Sequence, residues 1–310
     1  MAQRRRAARL RIVSVVPAAT EIVTALGAAD WLVAVSHECV LPSGIERPPR
    51  VTASTHPLPE TAGAINAQVS ALSGTDTPLF SLLAAEIAEL RPDVIITQGL
   101  CSVCAVSEAD VRALVDRMHP QPTVISISAS TLDGVFNDIT AIATALDLRT
   151  DGERLLSTLR ARMKRVHVVL SESRAPRPRV AVLEWTDPLF AAGHWVPEML
   201  HRAGGIDVLA VSGQHSREVA REMLVDAAPA IVLIAPCGYD LDRATREGRA
   251  LVDDDPWLAR RTVWALDACG LVSQPGPRLI DGIETMAAIL HPALFEQPAI
   301  SRAVPLAING

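Results

Sequence analysis

The sequence predicts an α/β protein of two lobes, each with a mainly parallel sheet, joined by a single long helix. Three observations predict this. The first half alternates short apolar runs with amphipathic stretches, the middle reads as helix almost throughout, and the alternation restarts after Pro176 and Pro178. Strand–helix alternation of this kind gives parallel strands with helices on both faces of the sheet. No repeat of fixed period accompanies it, so the duplication is one of architecture.

The elements follow in order. Residues 12–16 form a first strand stopped by Pro17, a helix runs from Ala19 to Gly27, and residues 31–36 form the next strand. Over 77–90, Leu79, Leu82, Leu83, Ile87 and Leu90 share one face at helical spacing and predict a helix. Pro92-Asp93 introduces a strand over 94–97, followed by a helix over 107–118 and a strand over 124–127. From 131 to 173 the pattern is helical with one weak point, Asp151-Gly152. Its second part would span roughly 30 Å at 1.5 Å per residue, about one domain diameter. Strands over 180–183, 231–235 and 263–266 then alternate with helices over 196–203, 216–227, 241–251 and 279–290. This organisation predicts an N-terminal lobe over 11–148, a connecting helix over 149–175 and a C-terminal lobe over 176–310.

Composition narrows the function. The chain has 310 residues, 49% apolar and 21% charged, enough to bury two cores without disulfides. Its net charge of −6 leaves no basic surplus to neutralise a phosphate backbone, which argues against a nucleic-acid partner. Arg4, Arg5, Arg6, Arg9 and Arg11 read as a solvated terminal arm. The apolar run after them is too short for a secretory signal, and no stretch approaches the ~20 residues of a membrane span. The expectation is a cytoplasmic protein. Five cysteines, an odd count, do not suggest a disulfide framework.

Ligands of open parallel sheets bind beyond the carboxyl ends of the strands. Residues following the predicted strands are therefore the candidates: Pro17, Ala18 and Thr20; His37, Glu38 and Cys39; Cys101 and Cys104; Trp185; His194 and Trp195; Cys237 and Tyr239; Pro275 and Arg278. With Cys269, which follows the strand over 263–266, all five cysteines and the only tyrosine fall there, while the cores are Ala, Val, Ile and Leu. A cleft between the lobes lined by Trp, Tyr and His suits a large, flat, partly apolar ligand. Trp185 and Trp195 would stack on its face, or pack under their loops. His194 would reach an acceptor or a metal centre, or bond to backbone.

His37, Cys39, Cys101 and Cys104 form a second candidate set, four soft ligands for zinc or another soft metal; the alternative is reduced thiols packed in a loop. Motifs for dinucleotides, nucleotide phosphates, nucleophile elbows and zinc proteases are missing from the sequence. A binding protein is expected rather than an enzyme, with a cleft enzyme acting on a metal-dependent substrate as the remaining alternative.

Several strings resemble one family. Residues 11–21 (RIVSVVPAATE), 32–39 (LVAVSHEC), 98–107 (QGLCSVCAVS), 183–188 (LEWTDP), 193–199 (GHWVPEM), Pro236-Cys237-Gly238 and 275–282 (PGPRLIDG) are similar to the cobalamin-binding substrate-binding proteins of ABC importers, over nearly the whole chain. The resemblance implies two Rossmann-like lobes on a helical hinge of the periplasmic-binding-protein type. It also implies cobalamin or a related corrinoid as the ligand, and delivery to a membrane permease.

Overall fold

The computed structural model describes residues 9–41, 44–73, 75, 77–99 and 106–308. The chain divides into two compact units. The first holds the residues through Leu58, Val69–Ala129 and Asp133–Ser157. The second holds Pro59–Gln68, Ser130–Leu132 and the chain from Thr158 onward.

The first unit opens with strand β1 (Ile12–Ser14) and helix α1 (Pro17–Ala25). Proline at the first helical position has its φ preset and no amide hydrogen to satisfy, and it forces Val16 before it into extended backbone. Strands β2 (Leu32–Val35) and β3 (Thr52–Ser54) follow. Helix α2 (Ala62–Leu72) begins on the second unit and ends in the first. Then come β4 (Phe80–Leu82), α3 (Ala84–Glu89), β5 (Val94–Gln98), α4 (Glu108–Val115), β6 (Thr123–Ile127) and α5 (Leu132–Ala145). Ser107 caps α4 by accepting from the Asp110 amide at 3.1 Å. The main sheet is wholly parallel, in the order β2-β1-β5-β6. Its core is aliphatic, with Ile12, Ile22, Ile95, Ile96 and Ile139 fully buried.

Helix α6 (Arg149–Ser173) is the long central helix and passes from the first unit to the second at Ser157. The second unit continues with β7 (Arg179–Thr186), β8 (Leu189–Ala191), α7 (Val196–Arg202), β9 (Ile206–Asp207), β10 (Arg217–Glu218) and α8 (Arg221–Ala227). It is completed by β11 (Ile231–Ile234), α9 (Leu241–Asp254), β12 (Thr262–Leu266), α10 (Ala268–Leu271), α11 (Leu279–Leu290) and β13 (Ala303–Ala307). Its sheet runs β10-β8-β7-β11-β12-β13, with β9 also pairing to β7. Strands β7, β11 and β12 are parallel, while β8, β10 and β13 add antiparallel edges. Arg162 on α6 grips α11, donating to Asp281 at 2.8 Å and to Glu284 at 3.0 and 2.5 Å. Among the described residues, no helix is long and apolar enough to cross a membrane.

The mainly parallel α/β architecture is the expected one, and four details differ. The predicted helix over 77–90 is instead β4 followed by α3, because Phe80–Leu82 pairs antiparallel with Thr52–Ser54. The predicted helix over 216–227 begins only at Arg221, after the β10 pairing. Strand β7 runs on to Thr186, so Trp185 lies within it. The helical middle breaks at Leu146–Leu148, where Asp147 takes φ 56°, and not at Asp151-Gly152. Gly152 lies inside α6 for a packing reason: a Cβ there would sit 2.6 Å from the Ala143 Cβ on α5.

Replacing a helical glycine by alanine ordinarily gains about 1 kcal/mol. Here the methyl meets an atom fixed to another helix, and overpacking costs ~1–3 kcal/mol. Gly152→Ala is therefore expected to lower the urea midpoint. A raised midpoint would contradict the close α5–α6 approach.

Candidate functional site

In the first unit the predicted residues split into a buried network and an accessible rim. Ala18 and Thr20 are buried on α1. The Thr20 hydroxyl donates to Ser14 Oγ at 2.8 Å and lies 3.0 Å from Cys39 Sγ. Burial pushes the Cys39 thiol up to about 11, so it stays protonated at neutral pH. Pro17 is half-buried and starts the helix. His37 is half-buried, with Nδ1 2.7 Å from Thr52 Oγ1 and its ring 5.4 Å from that of Phe80. Burial first, and the Arg50 charge second, lower its pKa, which keeps the imidazole neutral. Glu38 is exposed beside it.

The thiolate metal set gains no support. Cys101 and Cys104 lie outside the described residues. Among the described residues, no group of three or more His, Cys, Asp and Glu side chains is arranged to hold a metal ion.

In the second unit the parallel strands deliver the candidates to one sheet edge. Trp185 is half-buried at the end of β7, and its indole N–H donates to the Ala62 carbonyl at 3.2 Å. Tyr239, after β11, is buried with its ring 5.3 Å from Trp185 and the Arg243 guanidinium 3.9 Å from its centroid. Burial pushes its phenol up to about 12, so it remains a neutral hydroxyl. Cys237 is exposed on the same loop. Pro275 is buried, and the half-buried Arg278 caps α11 and donates to Gln274 Oε1 at 3.4 Å. Trp195 does not offer a face for stacking. It is 5% exposed, with its indole N–H given to the Val272 carbonyl at 2.8 Å, so it packs under the loop.

His194 is the residue the fold treats differently. It stands between β8 and α7 at φ 52°, in the left-handed region that costs a non-glycine residue free energy. Three bonds hold the loop there: His194 N–H to the Gln214 carbonyl at 2.6 Å, Gly213 N–H to the His194 carbonyl at 2.8 Å, and Gly193 N–H to Ser216 Oγ at 2.9 Å. Its Nδ1 is buried without a hydrogen-bond partner. Its ring meets that of exposed His215 edge-on, with centroids 5.0 Å apart. Burial first, then the charge of His215, lowers the His194 pKa, so the imidazole is neutral at pH 7. Reasoning from sequence found His194 but missed His215 and Arg243. His215 follows no apolar strand, and Arg243 reads as an ordinary solvent-facing residue of α9.

The comparisons agree with this architecture. A family model described as periplasmic binding protein matches residues 12–260. The chain is 24% identical over 283 residues to the vitamin B12-binding protein of Vibrio cholerae serotype O1, covering 90% of this chain and 88% of that one. A periplasmic heme-binding protein from Pseudomonas aeruginosa superposes with a TM-score of 0.71 at 21% identity, covering 97% of this chain and 99% of that one. The periplasmic vitamin B12-binding protein of Vibrio cholerae superposes at 0.58 with 22% identity, covering 92% and 98%. These likenesses to solved structures show the fold. The expectation of a cytoplasmic protein is overturned by the family match, since the matched family and these solved relatives are periplasmic binding proteins.

Gly193 tests the His194 loop directly. A Cβ there would overlap the backbone nitrogen of Ser216 and come within 2.6 Å of the His215 carbonyl carbon, neither of which can rotate away. Gly193→Ala is expected to cost ~1–3 kcal/mol in urea unfolding and to speed hydrogen exchange at Gly213. Unchanged exchange at Gly213 would show that the loop pairing does not depend on the glycine.

Proposed function

The chain belongs to the periplasmic binding protein family, and from that premise we propose that it captures a metallated tetrapyrrole-type ligand, cobalamin or a close relative, for a membrane permease of the ABC-importer type. The family is one of binding proteins, not enzymes. One observation carries the choice of ligand: a strained, neutral His194 imidazole in the loop between β8 and α7, with a buried nitrogen that nothing in the protein satisfies. An unsatisfied buried polar atom costs ~1–3 kcal/mol and invites a partner.

The relatives named above bind vitamin B12 or heme, each a flat macrocycle around a metal, and imidazole is a ready ligand for such metals. Trp185, half-buried at the end of β7, supplies apolar ring surface. Exposed Cys237 and half-buried Arg278 border the edge, and the Arg278 charge suits an anionic side chain of the ligand. Affinity comes from the apolar ligand surface removed from water, at ~25 cal/mol per Å² before ordering costs.

Titration with hemin, cyanocobalamin and aquacobalamin, followed by desalting and visible spectroscopy, tests this. The protein is expected to retain at least one of them with a shifted spectrum, and His194→Ala to weaken that binding at least about tenfold. Because the His194 pKa lies below its usual 6.5, protonation competes only under acid conditions. Affinity should hold from pH 8 to pH 7 and fall below pH 6.5. Retention of none of the three ligands overturns the proposal.

A further inference from the structure

Residues 59–68 depart from the first half of the chain to pack on the second unit. They meet that unit at the aromatic residues of its candidate site. Arg243 Nη2 donates to the Glu60 carbonyl at 2.8 Å and to the Pro59 carbonyl at 3.3 Å, while its guanidinium covers the Tyr239 ring. The Trp185 indole N–H is given to the Ala62 carbonyl. Ile65 packs against the cluster of Tyr239, Ala244 and Ala265. Gly63 lies so close to Asp187 that a Cβ would overlap its carboxylate.

The segment is held tightly at a few points and buries little of its own apolar surface. Ala62 is buried and Ile65 partly so, whereas Glu60, Thr61, Ala64 and Ala67 are exposed. Residues 62–68 are the first turns of α2, and a helix start held to its neighbours by a few hydrogen bonds with little apolar burial lifts away at a cost far below that of global unfolding. The Trp185 edge, an aromatic surface of the proposed site, is occupied by this segment, while Arg243 covers the Tyr239 face.

We propose that residues 59–68 form a releasable strap, latched by Arg243 and Trp185, that must open before a flat ligand can lie against Trp185. The inference rests on the reading of Trp185 as a ligand contact. Arg243 is a positioning residue in this scheme: it governs access to the site through the strap. The strap also explains why a solvent-facing position of α9 carries an arginine that spans two backbone carbonyls and a ring.

Hydrogen exchange followed by mass spectrometry on the full chain tests the latch without any ligand. Arg243→Ala is expected to speed exchange across 59–68 by about tenfold or more, with the strands β7, β11 and β12 unchanged. Trp185→Phe, which keeps a ring but loses the N–H donor, should speed the same segment less. Unchanged exchange of 59–68 in both variants overturns the latch, and Arg243→Lys provides a folded comparison should the alanine variant fail to fold. Stopped-flow mixing with hemin and with cyanocobalamin tests the gate. Faster association in Arg243→Ala than in the unsubstituted protein supports it, and an equal or slower rate overturns it. Absence of binding in both proteins defeats the ligand reading and the gate with it, while the exchange data decide the latch separately.

Discussion

Strands β7, β11 and β12 run parallel and in register, with Val180–Leu183 beside Ile231–Ile234 and Ile231–Ile234 beside Thr262–Ala265. Parallel pairing leaves no short way back, so each strand must hand the chain to a crossover at the same edge. That constraint places Trp185, the Cys237–Tyr239 loop and the Asp267–Cys269 turn together although they are far apart in sequence. Backbone bonds finish the alignment: Cys237 N–H reaches the Glu184 carbonyl at 3.0 Å, and Cys269 N–H the Tyr239 carbonyl at 2.9 Å. The first unit repeats the arrangement with a purely parallel sheet, and its strand ends carry the Ser14–Thr20–Cys39 network and His37.

His194 is positioned by another device. It follows the antiparallel β8, where no crossover dictates its placement, and it is held instead by paired loops. The left-handed backbone costs of order 1 kcal/mol or more, offset by the bonds to the Gln214 carbonyl and from Gly213. Glycine at 193 allows that close approach because the backbone of residues 214–216 occupies the space of a side chain. Stability is thereby spent on holding one imidazole in one orientation, the property a metal-directed ligand needs.

Much of this was legible in the sequence, and the reasons are local. Apolar runs of four or five residues bounded by proline and glycine reveal β1, β5, β11 and β12, and the helical spacing of the apolar residues over 152–173 reveals α6. Chemistry-bearing residues after those runs were identifiable because the cores contain so little else. What stayed hidden depends on tertiary partners. Residues 80–82 carry a helical spacing that pairing with Thr52–Ser54 overrides. Gly152 reads as a helix breaker and serves instead as a helix contact. Trp195 reads equally as a ligand-stacking residue or as packing under its loop, and only the tertiary bond from its N–H to the carbonyl of Val272 decides for the second. Nothing near residues 59–68 indicates on which unit they pack.

The central claim is that the ligand is recognised through its metal by His194. The most direct measurement is the affinity for an iron porphyrin against the same porphyrin without metal, with the His194 imidazole followed by nitrogen NMR. The account predicts binding of the metallated macrocycle at least about tenfold tighter, with a displaced His194 resonance only when metal is present. Equal affinities, with His194 unmoved in both, would contradict it.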